Sequence, residues 1–196
     1  MTHHDTLSHD EALSLFIDSG ALMHGHFILT SGRHSDSYMQ CAQVLRLAAH
    51  TERLAEHIAH AFESDMIDLV IGPAMGGIIV AYEVARQLGA PSIFTERQNG
   101  QMTLRRGFVV SPGQRILVCE DVVTTGGSVL EVMDVVRAQG GEIAGVGVLV
   151  DRSNGAIDFG VKQCAVLSLE IPSWDQRDCP LCRDGRMPAV KPGSRN

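Results

Sequence analysis

The stretch Ile116-Leu117-Val118-Cys119-Glu120-Asp121-Val122-Val123-Thr124-Thr125-Gly126-Gly127-Ser128 decides the fold. Its first four residues are an unbroken apolar run, short enough for a strand covered on both faces, and residues 129–139 then repeat apolar side chains at helical spacing. Residues 124–128 are therefore the loop of a strand–loop–helix unit. Gly126 and Gly127 lack the Cβ atoms that would hold an anion off the backbone, and Thr124, Thr125 and Ser128 add hydroxyl donors near the positive end of the helix. The loop reads as a phosphate cradle. Glu120 and Asp121, at the mouth of the strand, would repel that phosphate, so they face something else: ribose hydroxyls or a hydrated cation. Together these residues form a site for a phosphorylated sugar.

Outward from this unit the same alternation repeats. Residues 69–71 read as a strand, 72–77 as a glycine-rich turn, 78–88 as a helix stopped by Gly89, and 92–95 as the next strand. On the other side Gly140 and Gly141 stop the motif helix. Residues 143–150 make a buried strand delivering Asp151 and Arg152 at its carboxyl edge, and 164–169 supply one more. The expected fold class is α/β, a mainly parallel twisted sheet flanked by helices on both faces, whose ligands bind beyond the carboxyl ends of the strands. The turn at 72–77, the acid pair with its loop, and Arg152 all converge on that edge.

Residues 96–107 have no long apolar period and carry Arg97, Arg105 and Arg106 among Gln98, Asn99, Gly100 and Gln101, which predicts a mobile loop or loose hairpin. The N-terminal third differs. Ser8 and Glu11 have capping-box spacing ahead of a short helix that ends at Gly20. Residues 27–29 and 38–41 read as extended pieces around a polar turn at 30–37, and a helix from about 51 to 62 points Leu54, Ile58 and Phe62 inward. The 196 residues thus divide into helix and hood elements (1–66), an α/β core (67–172) and a C-terminal tail (173–196) within one domain. The tail, rich in Pro, Gly and charge, is expected to wrap the surface or to be partly disordered.

A formal charge of −7 and a pI near 5.7 argue against a general nucleic-acid or membrane-surface binder and favour small-molecule substrates. No apolar stretch approaches the roughly 20 residues needed to cross a bilayer, and the polar start Met1-Thr2-His3-His4-Asp5 is no signal peptide, so a cytoplasmic protein is expected. Five cysteines without a secretion signal read as reduced thiols, with Cys41, Cys119 and Cys164 in the core. Cys179-Pro180-Leu181-Cys182 is a CxxC pair, but a structural zinc needs about four ligands and no second pair exists, so no metal residue is assigned. His34-Ser35-Asp36 cannot assemble a hydrolytic triad, because adjacent side chains point apart.

The run at 116–128 resembles the phosphoribosyl pyrophosphate (PRPP) motif of the type I phosphoribosyltransferases. The segment Gly25-His26-Phe27-Ile28-Leu29-Thr30-Ser31-Gly32-Arg33-His34-Ser35-Asp36-Ser37-Tyr38 resembles the N-terminal signature of the orotate branch of that family. With Gly72-Pro73-Ala74 and Asp151-Arg152, the resemblance spans residues from about 13 to 170. It implies the type I phosphoribosyltransferase fold with a small N-terminal hood, and transfer of the 5-phosphoribosyl group from PRPP to orotate, giving orotidine 5'-monophosphate and pyrophosphate.

Carried over by position, Glu120, Asp121, Val122, Val123, Thr124, Thr125, Gly126, Gly127 and Ser128 bind the ribose 5-phosphate part of PRPP, with the acids toward the ribose. Thr124 and Arg152 match residues that touch orotate, Tyr38 with Met39 matches the hood segment covering its ring, and Arg97 matches a family arginine with a catalytic part. The resemblance also implies Mg²⁺ bound mainly through PRPP and water, and a homodimer in which loop 96–107 reaches the neighbouring site. The chain departs from the family in its lysines. Thr30, Gly76 and Gln101 stand where the better-known members carry lysine, and the only lysines are Lys162 and Lys191. Other readings are a phosphoribosyltransferase for a purine or another base, and a PRPP-sensing regulator without catalysis. For Arg152, the alternative is a surface salt bridge with Asp151.

Overall fold

A computed structural model describes residues 7–29 and 31–192; the polar start at 1–5 and Thr30 lie outside the described residues. Helix α1 (His9–Asp18) begins where the capping pattern places it, with the Glu11 amide donating to Ser8 Oγ at 3.2 Å. The hood is an antiparallel pair, β1 (Leu22–Ile28) and β2 (His34–Met39), longer than the expected extended pieces. Residues 34–37 belong to a strand and not to the turn. Their polarity conceals burial: His34, Ser35 and Ser37 are all buried, and Ser35 Oγ lies 2.8 Å from both Ser37 O and Pro172 O. Two helices follow, the short α2 (Ala42–Leu45) and α3 (Ala48–Phe62), the latter burying Leu54, Ile58 and Phe62.

The core then alternates. It comprises β3 (Leu69–Pro73), α4 (Gly76–Leu88), β4 (Ser92–Gln98), β5 (Gln101–Leu104), β6 (Arg115–Val123), α5 (Gly127–Ala138), β7 (Glu142–Asp151) and β8 (Lys162–Ser168). The sheet order is β5-β4-β3-β6-β7-β8, parallel throughout except for the β4/β5 hairpin. Central strands are apolar on both sides because both sides are covered. Leu117 and Cys119 join the cluster under α3 and α4, whereas Ile116 and Val118 join the cluster under α5. From β3 the chain crosses over α4 to β4 in one direction; from β6 it crosses over α5 to β7 in the other. Right-handed crossovers put these two helices on opposite faces, so a crevice opens beyond the carboxyl ends of β3 and β6.

Two open readings are decided. Of the loop and the hairpin expected at 96–107, the hairpin forms: β4 runs on to Gln98 and turns into β5 through Asn99 (φ 53°) and Gly100 (φ 82°), a two-residue turn that needs left-handed backbone at both positions. Of the two expectations for the tail, the wrap holds for residues 173–192, which lie against the hood. Trp174 and His34 exchange backbone hydrogen bonds of 2.8 Å, and Val190 takes the Ile28 amide at 2.8 Å while donating its own to His26 O at 2.9 Å. Between these contacts lies α6 (Pro180–Asp184), with Cys179 at its N-cap and Pro180 in its first turn.

Candidate active site

The phosphate cradle follows from how α5 starts. Gly126 holds φ 74°, a left-handed N-cap that a β-branched residue adopts only with strain, and no side chain caps the first turn. The leading amides of the helix are thus left for an external acceptor at its positive end. A cavity of ≈ 60 Å³ lies here, lined by Glu120 and residues 122–129, with Thr124, Thr125 and Gly127 exposed at its rim. A larger cavity of ≈ 400 Å³ between α3 and the last turn of α4 is lined by Glu52, Glu56 and Glu63 together with His60 and Arg86, and the arginine is already paired with Glu52 and Glu83.

The acid pair closes the other side of the crevice. β6 extends past the expected strand and carries both carboxylates within its last turn of pleat, one to each face. Glu120 is buried (8% exposed) and its Oε1 accepts the Asp121 amide at 3.0 Å; Asp121 Oδ1 accepts the Val122 amide at 2.8 Å. The start of α4 abuts them. A Cβ at Gly76 would fall inside contact distance of Asp121 Oδ2, and one at Gly77 would stand 3.1 Å from Glu120 Oε1. Glycine at 76 is what lets the carboxylate of Asp121 occupy its place.

Burial, then the charge of Asp121, pushes the Glu120 carboxyl up from its ordinary 4.5 to about 9. The sign follows. The folded chain keeps a proton that the unfolded chain releases, so this group's stabilisation is complete below about pH 4.5 and is lost as pH rises toward 9. Glu120→Gln is expected to remove that decline, giving a urea midpoint flatter than wild type between pH 5 and 9. Parallel profiles for the two proteins would show that Glu120 does not titrate in this window.

Arg152 follows β7 directly, and its amide donates to Val123 O at 2.8 Å, beside the first residue of the cradle loop. The salt bridge with Asp151 does not form. Among the described residues Asp151 instead accepts the Ser153 and Gly155 amides at 2.7 and 3.3 Å, and Arg152 Nε is buried with no hydrogen-bond partner. Burial lowers the pKa of the guanidinium, opposed by the Cys41 and Tyr38 side chains. Cys41 is the link: its buried thiol lies 3.8 Å from Asp121 O, and burial followed by the charges of Asp121 and Glu120 raises its pKa well above normal. A half-buried fork of donors whose Nε has no partner is a ready receptor for a planar carboxylate.

The hood residues divide. Tyr38 is half-buried, its hydroxyl 3.0 Å from Gln40 Oε1 and its ring tilted 5.8 Å from that of Phe27, whereas Met39 is packed into the core. Arg97 does not join the acid pair. It lies on β4 with Nη2 2.8 Å from Glu131 Oε2 of α5 and Nη1 3.0 Å from Gly100 O. Arg106 and Arg105 both turn to Glu96, at 2.9 and 3.9 Å. Lys162 pairs with Asp65. The CxxC pair, expected to lack further ligands, meets His26 and His34. These imidazoles stand some 150 residues earlier, and only the pairing of tail with hood reveals them.

The chain is similar to known proteins over most of its length. The Phosphoribosyl transferase domain family matches residues 40–175. The orotate phosphoribosyltransferase of Heliobacterium modesticaldum is 60% identical over 96% of this chain and 100% of its own length, and that of Pelotomaculum thermopropionicum is 58% identical over 96% and 99%. Among solved structures, the orotate phosphoribosyltransferase of Aeropyrum pernix superimposes with a TM-score of 0.67 at 27% identity, over 80% of this chain and 93% of that one. The Mycobacterium tuberculosis H37Rv enzyme in complex with inorganic phosphate gives 0.67 at 28%, over 82% and 96%.

Proposed function

The chain belongs to the orotate phosphoribosyltransferase family, and from that premise we propose that the crevice between β3 and β6 transfers the 5-phosphoribosyl group of PRPP to orotate. The products are orotidine 5'-monophosphate and pyrophosphate, a step of de novo pyrimidine (UMP) biosynthesis. One observation carries the reading: the uncapped start of α5, the acid pair and the part-unpaired Arg152 guanidinium gather at one sheet edge. The 5'-phosphate sits on the leading amides of α5 and the hydroxyls of Thr124, Thr125 and Ser128. The ribose hydroxyls face Glu120 and Asp121. Orotate lies between the cradle and the hood, its carboxylate on Arg152 and its ring beside Thr124, under Tyr38, behind which Met39 packs into the core.

Displacement at the anomeric carbon builds positive charge on the ribose ring and negative charge on the departing pyrophosphate, so catalysis is mainly electrostatic. Asp121 faces the first of these charges and needs to form no covalent bond. Glu120, buried beside Asp121 with its Oε1 on the Asp121 amide, faces the ribose hydroxyls with it. The all-oxygen donor set of the pair suits a hard cation that otherwise keeps phosphate and water ligands, and Mg²⁺ bound there through PRPP would neutralise charge on the leaving group.

Arginine takes the place of the absent lysines. The Arg97 ion pair is half-exposed, and such pairs are worth about 0–1 kcal/mol, so the β4/β5 hairpin can release Arg97 toward pyrophosphate at low cost. Met75, Ile79 and Tyr82 are 82%, 44% and 65% exposed along α4, an apolar face that supports a homodimer in which this hairpin serves the neighbouring site. The five free thiols suit a cytoplasmic compartment, and no helix among the described residues is long and apolar enough to cross a membrane. The chain acts as one unit of hood, core and tail.

Arg97→Ala is expected to lower kcat at least tenfold while leaving the melting temperature within about 2 °C, because only an exposed pair is lost; near-normal turnover rejects its catalytic role. The reading as a whole is tested by supplying PRPP and Mg²⁺ with orotate, uracil or hypoxanthine in turn and following base absorbance and pyrophosphate. Consumption of orotate alone is expected, and consumption of hypoxanthine would replace orotate with a purine.

A further inference from the structure

We infer that His26, His34, Cys179 and Cys182 form a structural zinc site that fastens the C-terminal tail to the hood. Their ligand atoms all lie within 4.8 Å of one another. Cys179 Sγ stands 3.5 Å from His26 Nε2, and Cys182 Sγ stands 3.6 Å from the same nitrogen and 3.3 Å from His34 Nδ1. Zinc–sulfur bonds of about 2.3 Å and zinc–nitrogen bonds of about 2.05 Å at tetrahedral angles require sulfur–nitrogen edges of about 3.5–3.6 Å. The three observed edges are already within about 0.3 Å of that requirement. The two ring nitrogens, 2.7 Å apart, need to separate by roughly 0.6 Å to reach the nitrogen–nitrogen edge of about 3.3 Å.

The surroundings prepare these ligands. His26 Nδ1 lies 3.0 Å from Met187 O, so it carries the proton and donates, leaving the Nε2 lone pair directed at both sulfurs and His34. Cys179 is the N-cap of α6 and Cys182 follows within it, so a short helix started by Pro180 sets the CxxC spacing. His26, His34 and Cys179 are buried and Cys182 is exposed, which leaves one side open for entry. Two thiolates and two imidazoles in a tetrahedral arrangement suit zinc and not the oxygen-seeking cation of the crevice, and four protein ligands leave no position for substrate. The site is therefore structural, and it stands independently of the reading of the active site. Through it α6 is tied to β1 and β2 at once, next to the backbone pairs made by Trp174 and Val190.

The test is metal analysis of the reduced full-length chain, purified without chelator or polyhistidine tag. One zinc per chain is expected, falling at least tenfold in Cys179→Ser and in Cys182→Ser but unchanged in Cys164→Ser. Removing the metal should lower the melting temperature by at least about 5 °C, recovered on adding zinc. Cobalt offers a readout that needs no variant: metal-free chain titrated with Co²⁺ should gain the visible absorption of tetrahedral cobalt–thiolate coordination at one equivalent. Chain that is purified without zinc and gains no such absorption, or whose Cys179 and Cys182 form a disulfide on isolation under reductant, overturns the site.

Discussion

Arg152→Ala is expected to lower kcat/KM for orotate by about 10²–10³-fold, the loss of a desolvated charge-assisted pair worth about 3–4 kcal/mol, while PRPP binding stays within about threefold of wild type. The reason is the state of the guanidinium before substrate arrives. Its Nε is buried without a partner, and burial already holds its pKa below the usual arginine range, so the free protein carries a desolvation cost that a bound carboxylate would offset. The same observation predicts that the alanine variant melts no lower than wild type, since only an uncompensated charge is removed. Arg152→Lys restores charge but not the planar fork and should recover only part of the activity. Steady-state kinetics with each substrate varied in turn decide the matter. Equal losses toward orotate and PRPP would make Arg152 a support for the end of β7 and not the receptor for the base.

Asp121→Asn keeps the shape of the side chain and removes its charge, and is expected to lower kcat by about 10²–10³-fold, the range found when one group is removed from a site that stabilises developing charge. A second readout separates this from simple damage. Asp121 is the second cause, after burial, of the raised Glu120 pKa, so the variant should show a smaller loss of stability between about pH 4.5 and 9. A variant with normal kcat would remove Asp121 from the stabilisation of the ribose cation. One with low kcat and an unaltered pH–stability profile would separate the two acids electrostatically.

The core was legible because its signals are local and unambiguous. Residues 116–119 are uniformly apolar and covered on both faces, and Gly89 ends α4 at φ 69° where its spacing places a stop. The hood was not, since His34, Ser35 and Ser37 are polar residues whose hydrogen bonds are made inside the protein, and a composition reading assigns such residues to a turn. At 96–107 the charges of Glu96, Arg97 and Arg106 left loop and loose hairpin both open, although Asn99-Gly100 is the dipeptide that two-residue hairpins favour and could have decided between them. At the site, Glu120, Asp121 and the cradle glycines sit on one continuous segment and could be read together. The place of Arg97 against Glu131, and the unpaired state of Arg152 Nε, depend on neighbours far along the chain. The meeting of His26 and His34 with Cys179 and Cys182 is the extreme case, because a register between tail and hood creates it.

The contact between Gly76 and Asp121 has a further consequence. Any side chain at 76 must first turn the aspartate aside, so the missing Cβ sets where that acid can stand. Substitutions at 76 and 121 are therefore expected to be non-additive, because each changes the space left to the other.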